Sequence, residues 1–207
     1  MIRDELVAVA RDPTEVGDRL AELPPGVLDK TLRAGAAQGL GSSFVTGLQS
    51  ARLPVPPWLE AHRFNVASQR ALIRQTLTVV APTLTAAGIP WVVLKGPVTA
   101  GSFESPEQRE FADLDILVPG PHLRECLGAL NDLGVAGLNQ NWGTYLQHGV
   151  AEFPITMSGT AIDMHWHLIG LAATRKRFEI PIDELVERRH PIRIDGVECF
   201  RLDTVDN

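Results

Sequence analysis

The sequence predicts an α+β protein: a helical N-terminal subdomain, then a small mixed sheet with flanking helices. Three observations carry this reading. Residues 1–52 keep helical apolar spacing throughout. A proline-rich stretch, Leu53-Pro-Val-Pro-Pro57, then stiffens the chain as a linker would. From residue 89 onward, short apolar runs alternate with turn residues and helical patterns. The expected division is 1–57, a helical subdomain with its linker, and 58–207, the core.

Each element is predicted by its own signals. Leu6, Val9 and Ala10 mark the apolar face of a first helix, and Asp12 or Thr14 is placed to cap the next one. Val27, Leu28, Leu32 and Ala36 continue the helical spacing; Gly39 and Gly41 break it before a short helix over 44–51. Trp58, Leu59, Phe64, Leu72, Ile73, Leu77, Val80 and Leu84 predict one long amphipathic helix over 58–87, ended by Gly88. Residues 89–94 are almost continuously apolar and read as a central, buried strand. Lys95-Gly-Pro97 turns the chain into a helix reaching about residue 103, with Pro97 in its first turn.

The strand over 111–118 is broken by Pro119-Gly-Pro121. Leu123, Leu127, Leu130 and Leu133 then mark a helix ending at Gly134. Residues 135–150 give no readable pattern. Residues 151–157 and 160–168 predict an antiparallel pair around Ser158-Gly159, and 182–189 a short helix. Asp195-Gly196 between 192–194 and 197–200 is a strong hairpin signal, its last strand reading as part of the core.

Composition narrows the function. The 207 residues, 44% hydrophobic, suffice for a substantial core. No apolar run reaches the roughly 20 residues that span a bilayer, so no membrane partner is expected. A net charge of −6 argues against bulk nucleic-acid binding. The basic clusters Arg175-Lys-Arg177 and Arg188-Arg-His190 read as solvated surface. A charged N-terminus and two distant cysteines, Cys126 and Cys199, point to a reduced, cytoplasmic setting.

The chemistry concentrates in Phe111-Ala-Asp113-Leu-Asp115-Ile-Leu-Val118. A strand has period two, so Asp113 and Asp115 leave the same face. Two adjacent carboxylates repel, and a hard divalent cation, magnesium or manganese, removes the conflict. A third acid, Asp163, lies in another strand-like run. Gly96 would admit a phosphate close to the backbone, and free amides of the following helix favour anions. Lys95 reads equally as a phosphate ligand or a surface residue, and Arg109 equally as a phosphate ligand or a salt-bridge partner of the loop. His165 shares a strand face with Asp163; it could orient a carboxylate, touch substrate or simply pack. With His167 it lacks a third ligand at zinc spacing. Trp142 and Tyr145 could stack on a base or pack in a loop; Trp91 and Trp166 are expected in the core.

Three pieces stand in order: Leu94-Lys95-Gly96, Arg109-Glu-Phe-Ala-Asp113-Leu-Asp115, and Asp163-Met-His165-Trp166. Together they resemble the uncharacterised nucleotidyltransferase family within the superfamily that shares a DNA-polymerase-beta-like catalytic core. The resemblance runs from about residue 65 to the end. The superfamily at large has Gly-Ser before its Asp-x-Asp; here Lys95-Gly96-Pro97 stands instead, so the lysine would serve where others use a serine hydroxyl.

The resemblance implies metal-dependent transfer of a nucleoside monophosphate from a nucleoside triphosphate, with ATP the expected donor and pyrophosphate the leaving group. Asp113 and Asp115 would hold the metal of the triphosphate, and Asp113, Asp115 and Asp163 a second metal. Lys95, Gly96 and Arg109 would bind phosphate, and His165 would touch substrate. The acceptor is a small molecule, a peptide or a protein hydroxyl. Two other readings compete. One is a non-catalytic nucleotide-binding or interaction module of the same fold. The other is a metal-dependent glycosyltransferase, which would want a βαβ region where residues 1–87 read helical. Cores of this kind are usually closed by a following helical region. None is expected after Asn207, so the N-terminal helices, a homodimer or a partner chain would complete the site.

Overall fold

A computed structural model describes residues 2–204 apart from 15, 102, 104, 106, 107, 136–149 and 179. Trp142 and Tyr145 lie outside the described residues. The chain forms two compact units, 1–70 with 99–112, and 71–98 with 113–207.

The first unit contains α1 (Ile2–Arg11), α2 (Gly17–Ala21), α3 (Pro25–Ala36), α4 (Gly41–Ser50) and the first half of α5 (Pro57–Ala86). Its core is Val9, Val16, Leu20, Leu32, Phe44, Val45, Leu48 and Leu59. These are the apolar positions of successive helical turns, gathered from α1 to α5. The helices approach closely. A Cβ added at Gly35 would fall 2.1 Å from Cε2 of Phe44, so only glycine fits there.

Helix α4 has no side-chain cap of its own. Glu110, from the 99–112 segment, supplies one. Its Oε1 accepts the Ser42 amide at 2.6 Å and the Ser42 hydroxyl at 2.8 Å, and its Oε2 lies 2.9 Å from His62 Nε2. A carboxylate at a helix N-terminus satisfies otherwise orphaned amides and complements the helix dipole.

The second unit holds the sheet. Its strands are β1 (Val92–Val93), β2 (Asp113–Leu117), β3 (Glu152–Met157) and β4 (Thr160–His165), in the order β1-β2-β4-β3. β2 runs parallel to β4; the other two pairings are antiparallel. From α5, the stripe Ile73, Leu77, Val80, Ala81 and Leu84 is buried, at the spacing of one helical face. Thr76 donates its hydroxyl to that of Thr160 at 2.9 Å. Helices α6 (Gly96–Ala100) and α7 (Leu123–Asn131) precede and follow β2. Two short helices, α8 (Ala172–Arg175) and α9 (Ile182–Glu187), lead into β5 (His190–Ile194) and β6 (Val197–Arg201).

Two expectations are corrected. The 89–94 run is not a central strand: only Val92 and Val93 form β1, at the edge of the sheet. It is apolar because Val92, Leu94 and Leu117 are covered by Ile182, Leu185, Val186 and Leu202. Helix α6 stops at Ala100, short of residue 103. The expected hairpin of β5 and β6 forms a two-stranded sheet of its own, with Cys199 and Leu202 buried in the core.

Candidate functional site

The sheet has two chemically different faces, and the register decides which residues share one. Asp115 stands opposite Asp163, Asp113 opposite Ala161, and Leu117 opposite His165. Across β4, His165 stands opposite Glu152 and Asp163 opposite Pro154. Opposed residues share a face and alternate residues return to it. Asp113, Asp115, Asp163, His165 and Glu152 therefore line one face. The other carries Leu114, Ile116, Phe153, Ile155, Ile162 and Met164, all buried. The apolar face fixes the strands, and the polar face is left for chemistry.

Asp115 is the centre of the polar face, with its side chain only 6% exposed. Its Oδ1 accepts hydrogen bonds from His165 Nε2 at 2.8 Å and from Lys95 Nζ at 3.1 Å. Burial alone would raise the Asp115 carboxyl. The hydrogen bonds from His165 and Lys95, with the attraction of their charge, more than offset it and hold the carboxyl below the ordinary aspartate range. Asp163 moves the other way. Burial pushes it up, Asp113 and then Asp115 push it further, and His165 offsets only part. The face thus has negative charge that the chain's own cations only partly satisfy.

Lys95 reaches Asp115 from an unusual backbone. It follows Leu94, whose amide donates to the Asp115 carbonyl at 3.0 Å and continues the β1–β2 pairing. At Lys95 the chain turns with φ of 44°. That left-handed conformation costs a residue with a side chain about 1–2 kcal/mol. Gly96 does not use its freedom for a positive φ; it begins α6.

His165 is packed and engaged at both ring nitrogens: Nδ1 lies 3.2 Å from Glu152 Oε2. Glu152 is the residue that reading the sequence missed. The signal was present, because counting back from the two-residue turn at Ser158-Gly159 pairs 157 with 160 and 152 with 165. Among the described residues, His167 faces no set of metal ligands. Its Nδ1 accepts the Ile169 amide at 3.0 Å, and burial, then Arg175, lower its pKa. Trp91 and Trp166 are buried. Arg109 belongs to the first unit, where its guanidinium lies 3.8 Å from a Cβ added at Gly39.

The polar face carries four carboxylates, and its three aspartates are hard oxygen ligands of the kind magnesium and manganese take. In kind and in position on the face they fit such a cation. In conformation they are not gathered around one: among the described residues, no group of three or more His, Cys, Asp or Glu side chains is arranged as a metal cluster. Asp115 Oδ1 is turned instead to Lys95 and His165. No helix of the described residues is long and apolar enough to cross a membrane.

No curated protein matches the chain. A family model described as an uncharacterised nucleotidyltransferase matches residues 27–207, beginning well before the motifs, in α3 of the first unit.

Proposed function

This chain belongs to the uncharacterised nucleotidyltransferase family, and we propose that it moves a nucleoside monophosphate, AMP from ATP, onto an acceptor hydroxyl with release of pyrophosphate. The observation that carries the reading is the parallel register of β2 and β4, which sets Asp163 directly opposite Asp115 with Asp113 on the same face. Magnesium or manganese held by Asp113, Asp115 and Asp163 would neutralise triphosphate charge and lower the pKa of the acceptor hydroxyl.

The remaining work falls to the chain itself. Lys95, at the end of β1, binds triphosphate oxygens through its exposed ammonium. His165 fixes the rotamer of Asp115 through Nε2, and Glu152 faces the opposite ring nitrogen and holds the imidazole in place. The apolar face beneath keeps the strands from shifting under the substrate. The acceptor hydroxyl gives up its proton to solvent as its oxygen attacks the α-phosphorus, a new phosphorus–oxygen bond forms, and the bond to the bridging oxygen breaks to release pyrophosphate. The acceptor is a small molecule, a peptide or a protein hydroxyl.

The test combines a triphosphate panel with mass spectrometry. Purified protein is incubated with each nucleoside triphosphate, magnesium and cell extract, and products are searched for the mass of one added nucleotide. ATP is expected to give such a product, and Asp115→Asn to abolish it. Product formation that survives Asp115→Asn would sink the mechanism. Labelling only from nucleotide-sugars would favour a glycosyltransferase. Metal-independent binding without product would favour a non-catalytic module.

A further inference from the structure

We propose that Lys95 makes the carboxylate face selective for a divalent cation that arrives already bound to phosphate; this rests on the metal-dependent reading above. The Lys95 ammonium holds Asp115 at 3.1 Å, on the same oxygen that takes His165 at 2.8 Å. It occupies one oxygen of the carboxylate that would be the central cation ligand.

The two partners are unequal. Asp115 is fixed, its side chain 6% exposed, while that of Lys95 is 66% exposed. The carboxylate cannot leave, but the ammonium can swing into solvent or onto another anion with little loss of packing. The backbone supports the same assignment. The left-handed position at the end of β1 is held by Lys95 although Gly96 is the next residue. The turn thereby sets a lysine, rather than a glycine, beside Asp115.

The selectivity follows from charge. A free cation taken by Asp115 either displaces the ammonium or sits beside it, and either way two positive charges are left together. A cation carried by a triphosphate brings oxygens that accept the ammonium as it is displaced, so every charge stays paired. Lys95 therefore opposes the first ligand and favours the second. By linkage, phosphate raises the affinity for the cation and the cation raises that for phosphate.

The experiment is equilibrium dialysis of manganese, alone and as its complex with inorganic tripolyphosphate, which carries no base. Wild-type protein is compared with Lys95→Gln, Lys95→Gly, Lys95→Arg and Asp115→Asn. Lys95→Gly serves as a second neutral variant because it suits the left-handed backbone, and circular dichroism checks folding of each. Wild type is expected to retain the complex at least tenfold more tightly than free manganese. Lys95→Gln and Lys95→Gly are expected to bind free manganese about tenfold more tightly than wild type and the complex about tenfold more weakly. Lys95→Arg should keep the wild-type ratio. Equal affinity of wild type and both neutral variants for free manganese overturns the role of Lys95; loss of that binding in Asp115→Asn would then leave the metal reading standing. No retention of manganese by any form, alone or complexed, removes both.

Discussion

Replacing Asp163 by asparagine is expected to stabilise the folded protein in chelator-containing buffer. Asp163 stands directly across from Asp115, with Asp113 diagonal on the same face. Its carboxyl is pushed up by burial and by both neighbours, with His165 compensating only in part. Like charges directly opposite on adjacent strands oppose pairing by about 0.2–1 kcal/mol. Removing one opposite and one diagonal contact should therefore gain roughly 0.5–1 kcal/mol, since asparagine keeps the shape. For a chain of this size that is a rise of about 1–4 °C in Tm. The pH dependence has a definite sign. An acid whose folded pKa lies above its unfolded value binds its proton more readily when folded. Its penalty is absent below the unfolded value of about 3.9, grows as pH rises through the window between the two values, and is complete at neutral pH. The gap between variant and wild type should thus be present at pH 7 and close toward pH 4. Urea denaturation at both pH values, with EDTA, measures it. Asparagine that is neutral or destabilising at pH 7 would refute the repulsion argument. Excess magnesium is expected to narrow the gap, because wild type has one more repelling carboxylate for it to neutralise.

Three further outcomes are expected. Glu110→Ala should cost about 2–4 kcal/mol, since it strips a charged acceptor from the Ser42 amide and hydroxyl and from His62. Amides of the first turn of α4 should exchange faster, and an unchanged urea midpoint would contradict the cap. Gly35→Ala should lower Tm although alanine favours helix by about 1 kcal/mol, because its Cβ would sit 2.1 Å from the Phe44 ring and overpacking costs about 1–3 kcal/mol; a higher Tm would show that the helices separate freely. Burial pushes both cysteine thiols up to about 12, so iodoacetamide at pH 8 should leave Cys126 and Cys199 unlabelled until urea unfolds the chain. Native labelling at the rate of a free thiol would disprove their burial.

Much of the second unit was legible because glycine and proline punctuate it. Gly88, Pro119-Gly-Pro121, Ser158-Gly159 and Asp195-Gly196 all lie at or next to element ends. In both hairpins the two turn residues take positive φ, the conformation that matches strand twist. The shared face of Asp113 and Asp115 was legible because the strand period is rigid. The edge position of β1 was not. An edge strand covered by α9 and β6 is as apolar as a central one, so composition cannot separate them. The turn at Lys95 was hidden by its neighbour. Gly96 invites assignment of the unusual conformation to itself, yet Lys95 adopts it. Nor could the cap on α4 be read, since Glu110 is far in sequence from both Ser42 and His62, and only the fold brings the three together.

The parallel pairing of β2 with β4 also sets an order of events during folding. β3 and β4 are joined by two residues, and such a hairpin closes in about 1–10 μs. Asp115 and Asp163 are about fifty positions apart, so β2 can dock only after a long loop closes, a step whose entropic cost precedes any reward. The carboxylates then come together as the loop closes, and their mutual repulsion is felt late. Divalent cation or phosphate should therefore leave the early hairpin untouched and act on the docking step. A chain that stalls there would keep most of its secondary structure and lack its site.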